Sequence, residues 1–476
     1  MSGGQARPAG LARVVSRWQL LGLSLNDVIG SGIYLLPAAT FALLGAVSVW
    51  AVLLAGLTVG LLVLCYAKAA SHFDQPGGSY LYAREAFGPF AGFQVGWTIW
   101  LTRISAAASL ANGLADAVAR CWPPAATGTG RAAVAGGSLL LLTAINIVGV
   151  RWAARTAVLL VVGKLVPLLL FLCIGLFHMD WGLASGGPRP DPADASRLGE
   201  AALLLLFAYA GFENLAAAAG EYRNPRRDVP FALLTMIVTV TVIYAAVQLV
   251  AQGTLAGLAG STAPLADAAA GFGGEGLALV LTVGAALSIL GSNSNTMLLG
   301  PRFVHALSID GYGPRALSRV HPRFRTPAAA IVLQCALALP LALSGSFAQL
   351  AVLSMVTRLL GYIATAASVL VLERRDRDRA GVLRLPGGPA IPVLALLLSL
   401  ALLSSASAAN LLAIGGAVAV GGVIYALRRR PAGWLWRASI RAHSAINTAP
   451  GLGPDELGTS PPARPGPVPG CLNPSG

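Results

Sequence analysis

Two short stretches of this chain put groups able to bind charge into runs that are otherwise apolar. Ile29-Gly30-Ser31-Gly32-Ile33 lies inside a run from about Trp18 to Phe41. Two glycines around a serine remove the bulk and helix propensity that keep a helix regular. A helix that breaks here and restarts at about Ile33 turns free N–H groups and the positive end of its dipole outward, which is the chemistry of a carboxylate site. In Phe207-Ala208-Tyr209-Ala210-Gly211-Phe212-Glu213 a glycine and an acid interrupt a second run. Unwound carbonyls there could hold a cation or an ammonium group. Taken singly, either glycine stretch could simply let helices pack closely; together they favour a site.

Single ionisable residues add to this. Lys164, one of only two lysines, sits in an apolar run between Val161-Val162-Gly163 and Leu165-Val166-Pro167. A buried ammonium can lose its proton near neutral pH, whereas a guanidinium cannot. Two readings stay open: a proton carrier, or a permanent cation that pins its helix to carbonyls of the first break. For Glu213, support of the unwound backbone is preferred to a second proton-carrying role. Asp27 and Arg103 could form a breakable gate pair if their helices face one another, and Arg358 has no assignment. The five cysteines (Cys65, Cys121, Cys173, Cys335, Cys471) read as inert thiols, and the five histidines show no metal-ligand spacing. With no H-E-x-x-H, G-x-S-x-G or P-loop motif, no enzyme, metal or cofactor is expected.

The elements that must position these groups follow from composition. Of 476 residues 56% are hydrophobic and only 11% charged, with a mean hydropathy of +0.71, which predicts an all-α polytopic membrane protein. Runs long enough to cross about 30 Å of hydrocarbon cover 18–41, 44–67, 91–119, 132–150, 156–178, 198–219, 230–252, 277–300, 327–344, 348–372, 389–408 and 409–427. The last boundary is marked only by Asn410 and its small neighbours. The first run is expected to be an anchor rather than a removable signal. In lipid, a broken helix survives only where protein buries it or where it lines a wet cavity.

With the amino terminus inside, only Arg120, Arg131, Arg189 and Arg197 fall in outer loops, and the other loop cations fall inside. Both termini are therefore expected in the cytoplasm. That placement makes the bilayer, not nucleic acid, the partner of the net charge of +14. Residues 1–17 form a cytoplasmic start, 18–427 the transmembrane domain, and 428–476 a cytoplasmic tail that is Pro/Gly-rich near its end and expected to be disordered.

Gly30-Ser31-Gly32-Ile33-Tyr34-Leu35-Leu36-Pro37 resembles the first-helix signature of the amino acid/polyamine/organocation (APC) transporters. Pro76-Gly77-Gly78-Ser79-Tyr80-Leu81-Tyr82, Gly211-Phe212-Glu213 with Glu221 and Asn224-Pro225, and Asp310-Gly311 with Pro314, His321 and Arg325-Thr326-Pro327 are similar to further segments of that family, in order. The resemblance runs from about Trp18 to Arg430. It implies a LeuT-type fold of two inverted five-helix repeats, with helices 1 and 6 broken and two peripheral helices. It also implies a site that holds an amino acid carboxylate at Ser31, Gly32 and Ile33 and its amine at carbonyls near Ile29, Phe207, Ala208 and Ala210. Phe207 stands where the family has an aromatic gate, and Asn293 and Asn295 are the candidates to line the pocket from the eighth run. Lys164 matches a lysine that, in a subset of the family, replaces a bound sodium ion.

The expected function is secondary active, proton-coupled and sodium-independent amino acid uptake across the cell membrane. An exchanger is the alternative, and a transporter-like nutrient sensor a weaker one. The alanines at 106–108 tilt the expected substrate toward neutral or apolar amino acids, and no obligate protein partner is implied.

Overall fold

The computed structural model describes residues 17–73, 77–148, 153–186, 195–217, 224–375, 382–385 and 387–428. The start before Arg17, Pro76, Glu221 and the tail beyond Arg428 lie outside these residues. Among the described residues the secondary structure is helical, with no strand.

The first run folds as two helices, α1 (Arg17–Val28) and α2 (Gly32–Leu44), separated where the two glycines predict a break. Next come α3 (Ser48–Ser71), α4 (Gly78–Phe87), α5 (Pro89–Ala119), α6 (Gly128–Val148), α7 (Ala153–Gly175) and the short α8 (Trp181–Ser185). The sixth run is again broken, into α9 (Ala195–Tyr209) and α10 (Glu213–Ala217). The remainder is α11 (Pro225–Thr254), α12 (Pro264–Ile309), α13 (Ala328–Ser344), α14 (Phe347–Arg375), α15 (Ala390–Ser404) and α16 (Ala408–Leu427). The weakly marked last boundary falls at residues 405–407, where the Ser407 hydroxyl accepts the Asn410 amide at 3.3 Å and caps α16. The helix of the eighth run begins well before residue 277, at Pro264, and bends at Gly274, whose φ of 73° lies outside helical space.

Six helical stretches, including Gly32–Ser71, α12 and α14, are long and apolar enough to cross a membrane. Leu54, Leu57, Val238 and Val242 are all more than 60% exposed, an exterior suited to hydrocarbon rather than water. The protein is a multi-pass membrane protein.

Helices from the first part of the chain pack on helices from the second part. Thus α2 meets α9, α3 runs along α11, α5 along α12 and α6 along α13, while α5 also packs on α14 and α7 on α12. Such approaches need small residues, because lipid offers no hydrophobic drive for loose contacts. At Gly56 of α3 an added Cβ would sit 2.4 Å from the Thr241 hydroxyl of α11, and at Gly284 of α12 it would sit 2.7 Å from Pro167 of α7. The peripheral α16 is held to α5 by the Trp97 indole N–H on the Ala417 carbonyl (2.8 Å) and the Gln94 amide on the Val418 carbonyl (3.0 Å).

Substituting Gly56→Leu should separate α3 from α11 at a cost of about 1–3 kcal/mol. Thermal unfolding of the purified protein in detergent should show a clear fall in Tm, and an unchanged Tm would contradict this packing.

Candidate functional site

At the first break, the Ile29 amide makes the last backward bond of α1, to the Leu25 carbonyl (2.9 Å). The Ser31 carbonyl then takes the amides of Tyr34 (3.1 Å) and Leu35 (3.2 Å) and starts α2. The amides of Ser31, Gly32 and Ile33 therefore stand at the N-terminus of α2, ahead of its first backbone bonds. At the second break, the Ala210 amide closes a turn on the Phe207 carbonyl at 3.2 Å. Gly211 then takes a φ of 131°, which a side chain would strain.

The two breaks touch. A Cβ on Gly32 would lie 2.6 Å from the Ala208 Cα, and one on Gly211 would lie 2.7 Å from the Asp27 carbonyl. Glycines at both breaks thus allow close packing. The Tyr244 hydroxyl of α11 lies 2.9 Å from the Val28 carbonyl and 3.0 Å from the Ala208 carbonyl, so one donor serves both breaks. Sequence reasoning missed Tyr244. Its signal was a phenol in an apolar run, which needs a partner once buried.

Around the breaks lies a chain of charged and amide groups. The Glu213 carboxylate accepts the Gly211 amide (3.0 Å), pairs with the Arg358 guanidinium, and lies 4.0 Å from Arg103. It thus contacts the backbone of the second break, and it gives the unassigned Arg358 a partner. Asp27 and Arg103, the expected gate pair, are instead separated by Asn214. Arg103 donates to the Asn214 side-chain oxygen, and the Asn214 amide donates to Asp27 at 3.3 Å. Pairing across helices depends on rotation about each axis, which residue type does not encode, so Asn214 was overlooked beside Glu213.

The Lys164 ammonium, 3% exposed, donates to the Asn26 carbonyl at the end of α1, and the Tyr34 hydroxyl donates to the Lys164 carbonyl. This contact pins α7 to both sides of the first break. Lys164 and Asp27 also lie within electrostatic reach of each other.

A small cavity of about 50 Å³ opens between the breaks. Gly30, Ser31, Gly32, Phe207, Ala208 and Ala210 line it, together with Asp27, Arg103 and Arg358. Ile29 and Ile33 adjoin lining residues in the chain and are buried, and Lys164 and Glu213 do not line the cavity. Asn293 and Asn295 do not line it. Asn293 turns to the Ala107 carbonyl of α5 (3.4 Å) and Asn295 donates to Asp27 (2.9 Å), while Ser292 and Thr296 face the cavity. Ser292 and Thr296 share one face at i, i+4, and each candidate asparagine is one residue off that face. The Phe207 ring meets Phe347 edge to face, with centroids 5.9 Å apart. Phe347 lines a wider cavity of about 820 Å³, so this aromatic pair stands between the two spaces. Among the described residues, no cluster of three or more His, Cys, Asp or Glu could hold a metal ion.

Residues 15–428 match the family model described as amino acid permease. The chain belongs to the amino acid permease family, within the APC superfamily. Three of the proteins similar to this chain are from Bacillus subtilis (strain 168). The serine/threonine exchanger SteT is 30% identical over 89% of this chain and 98% of its own length. The methylthioribose transporter is 27% identical over 90% and 95%, and the branched-chain amino acid permease BcaP is 26% identical over 88% and 94%. These permease relatives are transporters rather than enzymes.

Two substitutions should rank in a defined order. Glu213→Gln strips Arg358 and Arg103 of their carboxylate and should cost about 3–5 kcal/mol of stability. Tyr244→Phe leaves carbonyls at both breaks without their donor and should cost about 1–3 kcal/mol. Thermal unfolding of both variants beside the wild type checks the order.

Proposed function

We propose that this permease is a secondary active transporter of amino acids, working by alternating access with proton coupling and without sodium. The observation that carries the reading is the contact between the two breaks. It sets the N–H end of α2 against the carbonyls that close α9, so a carboxylate and an ammonium on one carbon can be met together. The methylthioribose transporter among the relatives means that family membership alone does not supply the substrate. The two-ended site is what favours an amino acid.

Twelve crossings in a LeuT-type fold are part of the proposal. The packing of helices from the first part of the chain on helices from the second supports an inverted repeat, with α1 and α2 as helix 1, α9 and α10 as helix 6, and α15 and α16 peripheral. Residues 18–427 would be the transport domain, and the basic loops favour cytoplasmic termini for the flanking segments. Ser31, Gly32 and Ile33 are assigned the carboxylate. The carbonyls of Ile29, Phe207, Ala208 and Ala210 are assigned the amine, and Phe207 the gate toward the wider cavity. Ser292 and Thr296 replace Asn293 and Asn295 as the lining from α12. Asp27, Arg103 and Asn214 form a relay that must rearrange when the inner side opens. Lys164 supplies the cation at the first break that a sodium ion would otherwise supply, and it is the proton-coupling candidate, with Glu213 held in its structural role. Exchange is the second reading, favoured by the likeness to an exchanger that spans almost the whole of both chains.

Uptake of labelled amino acids into proteoliposomes, under an inward proton gradient, an inward sodium gradient or none, tests the proposal. Stimulation by protons alone that is lost in Lys164→Ala is the expected result. Gradient-independent uptake stimulated by preloaded amino acid would select exchange, and no transport of any amino acid would overturn the permease reading.

A further inference from the structure

A second cavity, of about 370 Å³, lies away from the breaks, between α5, α12, α13 and α16. Its walls are apolar and aromatic. Phe93, Trp97 and Trp100 come from α5, Leu307 from α12 and Leu427 from α16. Tyr312, which lines the cavity, stacks on Tyr425 with ring centroids 5.3 Å apart, an aromatic pair of the kind found at membrane–water interfaces.

The rim is basic. Arg428 borders the cavity, and so does the segment after α12, through Tyr312, Pro314 and Leu317. From Asp310 to Pro327 that segment holds Arg315, Arg319, Arg323 and Arg325 against one acid, Asp310, which the Tyr80 hydroxyl engages at 2.9 Å. Arg315, Arg319 and Arg428 are exposed. The α16 wall is held to α5 by the Trp97 and Gln94 hydrogen bonds to its backbone. An apolar slot with a guanidinium rim matches one kind of occupant, an acyl chain joined to an anionic headgroup. A zwitterionic lipid would fill the slot and gain little from the rim, whereas a soluble anion would gain from the rim and leave the slot bare.

We propose that this cavity is a binding site for an anionic phospholipid, with one acyl chain against Trp97 and Trp100 and the phosphate held by Arg428, Arg315 and Arg319. Its placement in the cytoplasmic leaflet rests on the orientation proposed above, but the binding itself does not depend on transport. Basic pockets between transmembrane helices on the cytoplasmic side are known to take such headgroups, and each arginine near the surface adds to the preference.

The test uses the full chain in phosphatidylcholine nanodiscs containing a small fraction of phospholipid brominated on its acyl chains, which quenches nearby tryptophan. At equal mole fraction, brominated phosphatidylglycerol should quench the fluorescence more strongly than brominated phosphatidylcholine. The fitted preference should be on the order of tenfold. The extra quenching should disappear when Trp97 and Trp100 are replaced by phenylalanine. It should also disappear in the Arg315→Gln, Arg319→Gln, Arg428→Gln triple variant, whose changes are all on exposed residues. Equal quenching by the two lipids, or a preference that survives the arginine changes, would overturn the proposal. Because the readout is binding, a failed transport assay would not bear on it.

Discussion

Backbone hydrogen bonding in a medium without water is the constraint on which the rest of this structure depends. A helix that stops within hydrocarbon leaves N–H and C=O groups that each cost several kcal/mol if unmet. Here two helices stop, and side chains packed around them meet backbone groups at both breaks. Tyr244 reaches a carbonyl from each, Lys164 takes the Asn26 carbonyl, and Glu213 takes the Gly211 amide. What remains is the N-terminal face of α2 and the carbonyls beside it, held close together by Gly32 and Gly211. The polar groups gathered at this place are the basis of the proposed two-ended site.

The same economy explains the buried charges. Glu213 between Arg358 and Arg103, and Asp27 between Asn214 and Asn295, form one connected set of hydrogen-bonded groups drawn from α1, α5, α10, α12 and α14. Isolated, each ion would be expensive to bury; linked, they become specific contacts between helices. A network that crosses so many elements cannot stay unchanged if the helices shift against one another. Its geometry therefore ties the state of the site to the packing of the bundle. The Phe207–Phe347 pair, between the small cavity and the wide one, is the apolar counterpart on the other side of the site.

Much of this was legible in the chain itself. Run length and hydropathy located the helices, and the glycine stretches at residues 30–32 and at 211 marked both breaks, because composition and backbone freedom are local properties. The partners of Lys164 and Glu213 were legible in kind, since a buried cation and a buried carboxylate must each find something of opposite polarity. Helix rotation was not. Asn293 and Asn295 fell one residue away from the face that Ser292 and Thr296 present, and Asp27 and Arg103 turned out to be joined through Asn214. Such phase relations are set by packing across the whole bundle. Near-uniform apolar runs give little amphipathic signal from which to read them.

The central claim is that the paired breaks recognise the two ends of an amino acid main chain. The most direct measurement is competition for binding of a labelled amino acid substrate to the purified protein, using the same compound with its carboxylate esterified and, separately, with its α-amine removed. Both analogues should lose nearly all ability to compete. If either competes as well as the unmodified amino acid, one of the two breaks does not bind the substrate, and this account of the site is wrong.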